Sequence, residues 1–411
     1  MKTAIDSQID SKNESKFDPK LERNLKLMMV HSIFLEPLFW GSILILAMQK
    51  LAHMSLSEIY FQEAVVVVLC LIIDIPTGAL ADIIGRKKMI VIGQIFLFFD
   101  FLVFAFMSEP WHVWVANILW AIGVAFRSGA DKALIQESCL GIGKGRGYYR
   151  KYSGKAQGLR MLLFAICAPA TSWVATYDLR WPMFMSIPFL IIPLVTVFML
   201  TEPPRDDVKK LTTREHISQM KEGVLDIIRD KRIFWIMLYT CIITAVLKIW
   251  FFAYNPYFER VSLPLIWFGW IFAGLNVIGW ISSQWGFKVE KKLGDKVTLL
   301  LLIPMIGISV ILMGLFPIKY MVGMVFFASI VRGMYIPFFD SMSEHYLRNS
   351  TRATVLSVQS SVSSAVGSIG LLGFSFLVKY TSLLTSLIVL GITALVCHLL
   401  LMSTWNKHFK V

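Results

Sequence analysis

Charged side chains interrupt stretches that are otherwise apolar, at Glu36, Asp74, Asp100, Arg127, Asp131, Lys132, Arg160, Lys248, Arg332, Asp340 and Glu344. A charge at the centre of a membrane-inserted helix costs about 2.5–3.5 kcal/mol, so each is a candidate for proton transfer, solute binding or ion pairing. Glu36 precedes Pro37 in "HSIFLEPLFW", where the proline loosens the backbone ladder and the carboxylate faces a bundle interior. It is the first candidate for proton or substrate coupling. Asp74 in "IIDIPTGAL" shares a helix face with Gly78 and Asp82, a spacing that would link its protonation to the following turn. Arg127 and Asp131 are one helical turn apart and can pair, leaving Arg127 donors for an anionic solute or a carboxylate on the first or second helix.

Further along the chain, Arg332 is a second arginine of the same kind, and Asp340 and Glu344, a turn apart, suit a gate or a surface. Asp340 stays in the coupling or substrate set. Lys248 is expected to snorkel outward, while Trp250, Phe251, Phe252, Tyr254 and Tyr257 could line a pocket but are for the most part expected in an interfacial belt, and His31 is expected at an interface too. No nucleophile, metal set or acid/base constellation is assembled in one span or loop. The chain is therefore not expected to be an enzyme or to carry a metal or cofactor. "GIGKGRG" at 141–147 has no preceding strand and is no phosphate loop.

The elements that must position these groups are helices. Hydrophobic residues make up 56% of the 411 and charged residues only 16%, against about 25% in soluble domains; the mean hydropathy is +0.65. Apolar runs long enough to cross a hydrocarbon core of about 30 Å recur along the chain, and lipid forces them to satisfy their own backbones as helices. Twelve spans are predicted, near 27–49, 59–81, 88–107, 112–137, 156–177, 181–200, 232–254, 264–286, 297–316, 320–344, 352–378 and 382–404. Such long uninterrupted segments exclude a barrel of short alternating strands.

Lys and Arg set the orientation. With the N-terminus inside, thirty of the 40 basic residues fall in inside segments and five in outside loops. Both termini are therefore expected in the cytoplasm of a multi-pass inner-membrane protein. The net charge of +13 is explained by this bias and by anionic inner-leaflet lipid, so a nucleic-acid partner is not expected. The five cysteines lie in or at the ends of spans without paired spacing, which argues against a disulfide or metal framework. The expected organisation is a cytoplasmic arm 1–26, a six-helix bundle 27–200, a cytoplasmic linker 201–231, a second six-helix bundle 232–404 and a tail 405–411. Apolar residues of the linker recur at helical spacing from Thr212, as in an amphipathic surface helix or a solvated linker.

The halves echo each other. Arg127 before Ser128-Gly129 in "VAFRSGADKAL" corresponds to Arg332 before Gly333 in "SIVRGMYIPFFD", and Asp82-x-x-Gly85-Arg86-Lys87 has a looser counterpart from Glu290 to Lys296. Parallel repeats of this kind place a solute site between the halves near mid-membrane. "GALADIIGRKK" resembles the loop between spans two and three of the major facilitator superfamily, with Gly78, Asp82, Gly85, Arg86 and Lys87 in register. The resemblance implies an all-α membrane fold of twelve helices in two pseudo-symmetric halves. It further implies a conformational latch, in which Asp82 approaches the start of helix eleven and Arg86 pairs with Glu137 at the end of helix four. Asn349 or Ser350 would cap the same helix eleven.

The family resemblance implies a monomeric secondary transporter of a small-molecule substrate working in the lipid bilayer by alternating access. With no nucleotide-binding domain in these residues, protons are the expected coupling ion, with sodium or simple facilitated diffusion as the alternatives. Direction is read from helix five, where "FAICAPATSW" keeps Pro169 but has Ala168 and Ser172 where exporters carry glycines. Efflux is slightly favoured. An importer of a nutrient, organic anion or metal chelate, or a non-transporting membrane sensor, are the competing expectations.

Overall fold

The computed structural model describes residues 18–144, 146–203, 225, 227, 229–346 and 352–409, and at some of these, Asp82, Glu290, Asp340 and Glu344 among them, the backbone alone. Most of the linker, with its expected amphipathic helix, and the expected caps Asn349 and Ser350 lie outside the described residues. The described chain is helical and contains no strand. Among the described residues, eleven helices are long and apolar enough to cross a membrane. They match the expected spans from the second onward.

The first span departs from expectation. Helix α1 (Pro19–Phe34) stops, and α2 (Leu44–Leu51) begins after an irregular segment, so the continuous helix expected over 27–49 is in fact broken. Pro37 is the cause: it donates no backbone hydrogen bond and its ring collides with the carbonyl one turn back. The freed backbone groups find partners elsewhere. Phe39 donates its N–H to Ser186 Oγ at 3.0 Å. The Gly41 carbonyl accepts from Tyr254 Oη at 2.8 Å, and the Ser42 carbonyl from Asn255 Nδ2 at 3.0 Å. At its other end α1 starts at Pro19, so part of the expected arm is helical, capped by Asp18, whose carboxylate accepts from Lys20 N at 2.8 Å.

The first half continues through α3 (Leu56–Ile84), α4 (Arg86–Ala105), α5 (Pro110–Gly141), α6 (Arg146–Ala175) and α7 (Trp181–Phe198). The second runs through α8 (Lys231–Arg260), α9 (Ile266–Leu293), α10 (Asp295–Leu315), a 3-10 turn Lys319–Met324, α11 (Val325–Tyr346), α12 (Arg352–Tyr380), α13 (Leu383–Ser403) and α14 (Trp405–His408). Ser55 opens α3 with a capping box: its hydroxyl accepts from Glu58 N at 3.2 Å while the Glu58 carboxylate accepts from Ser55 N at 2.7 Å. Helices α4 and α5 approach closely where two glycines face each other, since a Cβ built on Gly93 would stand 2.7 Å from the Gly123 carbonyl oxygen. Small residues at such crossings let backbones pack without side chains between them.

Polarity is distributed as lipid requires. Ile83, Trp111, Ile166, Trp173, Trp285 and Leu399 are exposed, whereas Asn24, His31, Gln62, Gln94 and Asn255 are buried. The largest buried apolar cluster draws on both halves, joining Ile59, Tyr60, Trp250 and Phe258 around the connections that contain His53 and Ser262. At the opposite end, marked by the Gly85 and Gly294 turns, the cores are separate. One holds Met28, Ile90, Leu134 and Tyr152, the other Met237, Cys241 and Val358. Among the described residues, every hydrogen bond and ion pair between the halves joins residues 41–64 to 248–259 or 368–375. The halves are fastened at the His53 end.

Candidate functional site

The broken first span leaves room behind it. A cavity of about 410 Å³ opens beside the break, walled by Glu36, Pro37 and Trp40. Helix α3 contributes Glu63, and α4 contributes Leu97, Asp100, Phe101 and Phe104. From α5 come Asn117, Trp120 and Arg127, and from the second half only Phe251 and Phe252 of α8. The cavity lining is drawn mostly from the first half, with Phe251 and Phe252 facing it from the second.

Each charged group in the wall but one has a partner. Glu36 Oε1 pairs with Arg160 Nη1 of α6 at 3.1 Å. Arg127 pairs with Asp131 one turn along α5. Lys248 Nζ reaches Glu63 Oε1 at 3.6 Å, so the lysine expected to snorkel outward points inward to a carboxylate of the other half. Asp100 makes no hydrogen bond or ion pair with any described residue. Glu63 was not among the sequence candidates, since "SEIYFQEAVVVV" places it near a span end, where a surface glutamate is unremarkable.

The other candidates are distributed around this centre. Asp74 accepts from Ser128 Oγ at 3.4 Å, outside the cavity. Arg332 lies away from the cavity wall; its Nη2 is buried without a hydrogen-bond partner among the described residues, and Glu36 is within its electrostatic reach. His31 is buried rather than interfacial, with Nε2 3.1 Å from Gln94 Oε1, because α1 packs into the bundle along that face. Trp250, Tyr254 and Tyr257 are likewise buried, not a belt, since they face the apolar cluster that draws on both halves.

At the Gly85 end, Arg86 Nη2 meets Glu137 Oε1 at 2.8 Å, with side chains 19% and 27% exposed. Gly85 takes φ +108°, a conformation that L side chains rarely adopt. Directly after it Glu202, beyond the end of α7, accepts from the backbone N–H groups of Arg86 and Lys87, both at 2.8 Å. An anion at a helix N-terminus fills otherwise unsatisfied donors and complements the helix dipole. Glu202 was missed because "TEPP" reads only as a helix stop. Asp82 and Asp340 have side chains outside the described residues, so their expected roles at the latch and in coupling rest on the sequence.

Comparison with known proteins places this geometry among its relatives. The family model for the Major Facilitator Superfamily matches residues 28–371. Multidrug resistance protein MdtH of Yersinia enterocolitica is 27% identical over 156 residues, covering 38% of this chain and 36% of that protein. MdtH of Proteus mirabilis is 28% identical over 155 residues, covering 38% and 36%. The match thus spans 36% of the length of these curated relatives. Among solved structures, the nucleoside transporter NupG aligns with a TM-score of 0.71 at 12% identity, covering 95% of this chain and 100% of that one. A bacterial homologue of the human lysosomal transporter Spinster, inward-facing and unoccupied, aligns with a TM-score of 0.69 at 14% identity, covering 96% and 99%. At such identities the likeness is one of fold.

Proposed function

The chain belongs to the Major Facilitator Superfamily, a transporter and not an enzyme, and from that premise we propose that it exports a small organic solute across the cytoplasmic membrane in exchange for protons. The observation that carries this reading is the charged cavity beside a helix broken in mid-span. Irregular backbone at membrane depth is tolerated only where it is buried in protein or lines a cavity, and in transporters such segments form solute sites.

The distribution of Lys and Arg makes the Gly85 end cytoplasmic. A molecule fastened at the His53 end is then closed to the outside. Rocking the halves about the cavity would exchange that closure for one at the Gly85 end, where the latch of Gly78, Asp82, Gly85, Arg86, Lys87 and Glu137 would hold. Glu36 and Asp74 would carry the proton, with Arg127, Asp131, Arg332 and Asp340 tuning the pathway. The multidrug-resistance names of the MdtH relatives support export.

The test is flux through the purified protein in proteoliposomes. Solute accumulation driven by an imposed proton gradient, and abolished by a protonophore, is the expected result. Binding without flux for every bound solute would overturn the reading and indicate a sensor.

A further inference from the structure

Two arginines face one carboxylate beside the break in the first span, and we propose that Glu36 exchanges ion-pair partners as the halves rock. It pairs with Arg160 of its own half in this conformer and with Arg332 of the opposite half once the Gly85 end closes. The inference rests on the alternating-access reading above and makes Arg332 a positioning residue, which favours the outward-open conformer through Glu36.

Arginine keeps its charge at membrane depth and carries five donors, so it is costly to bury without acceptors. Arg332 of α11 nevertheless makes no hydrogen bond or ion pair with any described residue, and its Nη2 is buried. The guanidinium stands at the boundary between the halves. A Cβ built on Gly279 of α9 would lie 3.4 Å from Arg332 Nη2 and 3.3 Å from Cε of Met161, the residue after Arg160 on α6. The acidic side chains within electrostatic reach of Arg332 are Tyr254, Tyr335 and Glu36. Tyr254 Oη is committed to the Gly41 carbonyl, and Glu36 is the one carboxylate of the three.

Glu36 can take a second partner. Its pair with Arg160 uses Oε1, at 3.1 Å, while Oε2 bonds no described residue and the side chain is 46% exposed. The pair with Arg160 lies within the first half and needs no closure. A pair with Arg332 spans the halves and forms only where they meet. Here their cores are separate at the Gly85 end, which leaves Arg332 without its acceptor. Closing that end carries α11 toward α1 and supplies one. Two other roles fit Arg332 poorly. An arginine that only fixes packing would be hydrogen-bonded where it is buried. One that binds solute in this conformer would present its donors to the cavity, and Arg332 is not in the wall.

The test is the sign of two substitutions. In the full-length protein with the native cysteines replaced and a cysteine at Leu44, in the cavity wall, labelling by a membrane-impermeant thiol reagent reports opening at the His53 end. Arg332→Met removes the partner of the outward-open conformer and should slow labelling by about threefold or more, whereas Arg160→Met removes the competing partner and should speed it by about as much. Arg332→Lys keeps the charge and should stay within about twofold of the unaltered protein. In a Glu36→Gln background Arg332→Met should leave the rate unchanged, because it acts through that carboxylate. Labelling that is unchanged or faster in Arg332→Met, or slowed equally with and without Glu36, overturns the proposal. If Arg332→Met does not fold, Arg160→Met decides alone: faster labelling supports the exchange, and unchanged or slower labelling overturns it. Flux separates the two readings. Labelling that shifts as expected while no solute crosses proteoliposomes overturns transport and keeps the exchange, whereas solute flux with unresponsive labelling overturns the exchange and keeps transport.

Discussion

Lys248 Nζ stands 3.6 Å from Glu63 Oε1, linking α8 of the second half to α3 of the first. The only other ion pair between the halves among the described residues, Lys50 with Glu259 at 3.2 Å, is more exposed. Glu63→Gln is expected to favour separation of the halves at the His53 end by about 1 kcal/mol, roughly a fivefold shift in the equilibrium. A cysteine placed at Leu44, with the five native cysteines replaced, should be labelled correspondingly faster by a membrane-impermeant thiol reagent. Unchanged or slower labelling would contradict this role for the bridge.

Removing the carboxylate of Glu202 strips the first turn of α4 of its acceptor. Glu202→Ala is expected to cost about 1 kcal/mol and to lower the melting temperature by about 2–4 °C, with Glu202→Gln falling between it and the unaltered protein. Thermal unfolding in detergent reads the difference. A melting temperature that stays put in the alanine variant would show that water replaces the cap without loss.

Proton coupling is expected to fail in Glu36→Gln, which also leaves Arg160 without its partner, and in Asp74→Asn. The measurement is proton movement accompanying solute flux in proteoliposomes. Full gradient-driven flux in both variants would remove these two carboxylates from the coupling mechanism.

Adding a side chain at the α4–α5 crossing should separate the two helices. Gly93→Ala would push a methyl group against the Gly123 carbonyl, and overpacking of this kind costs about 1–3 kcal/mol. Gly129→Ala, where nothing lies within 4 Å of the added carbon, serves as the control and should melt like the unaltered protein. Equal melting of both variants would mean that the crossing relaxes freely.

Periodicity and charge placement made the fold legible, because a lipid-facing helix must be long, apolar and self-satisfied in its backbone. The pairing of Arg127 with Asp131 was readable for a related reason: a single helix fixes their separation. Contacts between helices were another matter. Whether Lys248 points to lipid or to Glu63 depends on the rotation of α8 about its axis, which a uniformly apolar helix does not disclose. His31 was hidden in the same way. Pro37 signalled a disturbance in the first span, but a proline inside a helix usually bends it. Prolines at 76, 169, 188, 193, 304 and 337 remain inside continuous helices here. The full break at Pro37 depends on partners supplied by Ser186, Tyr254 and Asn255, all remote in sequence.

Those partners give the break a thermodynamic consequence. The carbonyls of Gly41 and Ser42 are satisfied by side chains of the opposite half, so parting the halves at the His53 end strands two acceptors at once. Only water can replace Tyr254 and Asn255 there, which makes wetting an obligatory part of opening. The balance between conformers should therefore follow the activity of water itself, with concentrated, excluded osmolytes holding that end shut.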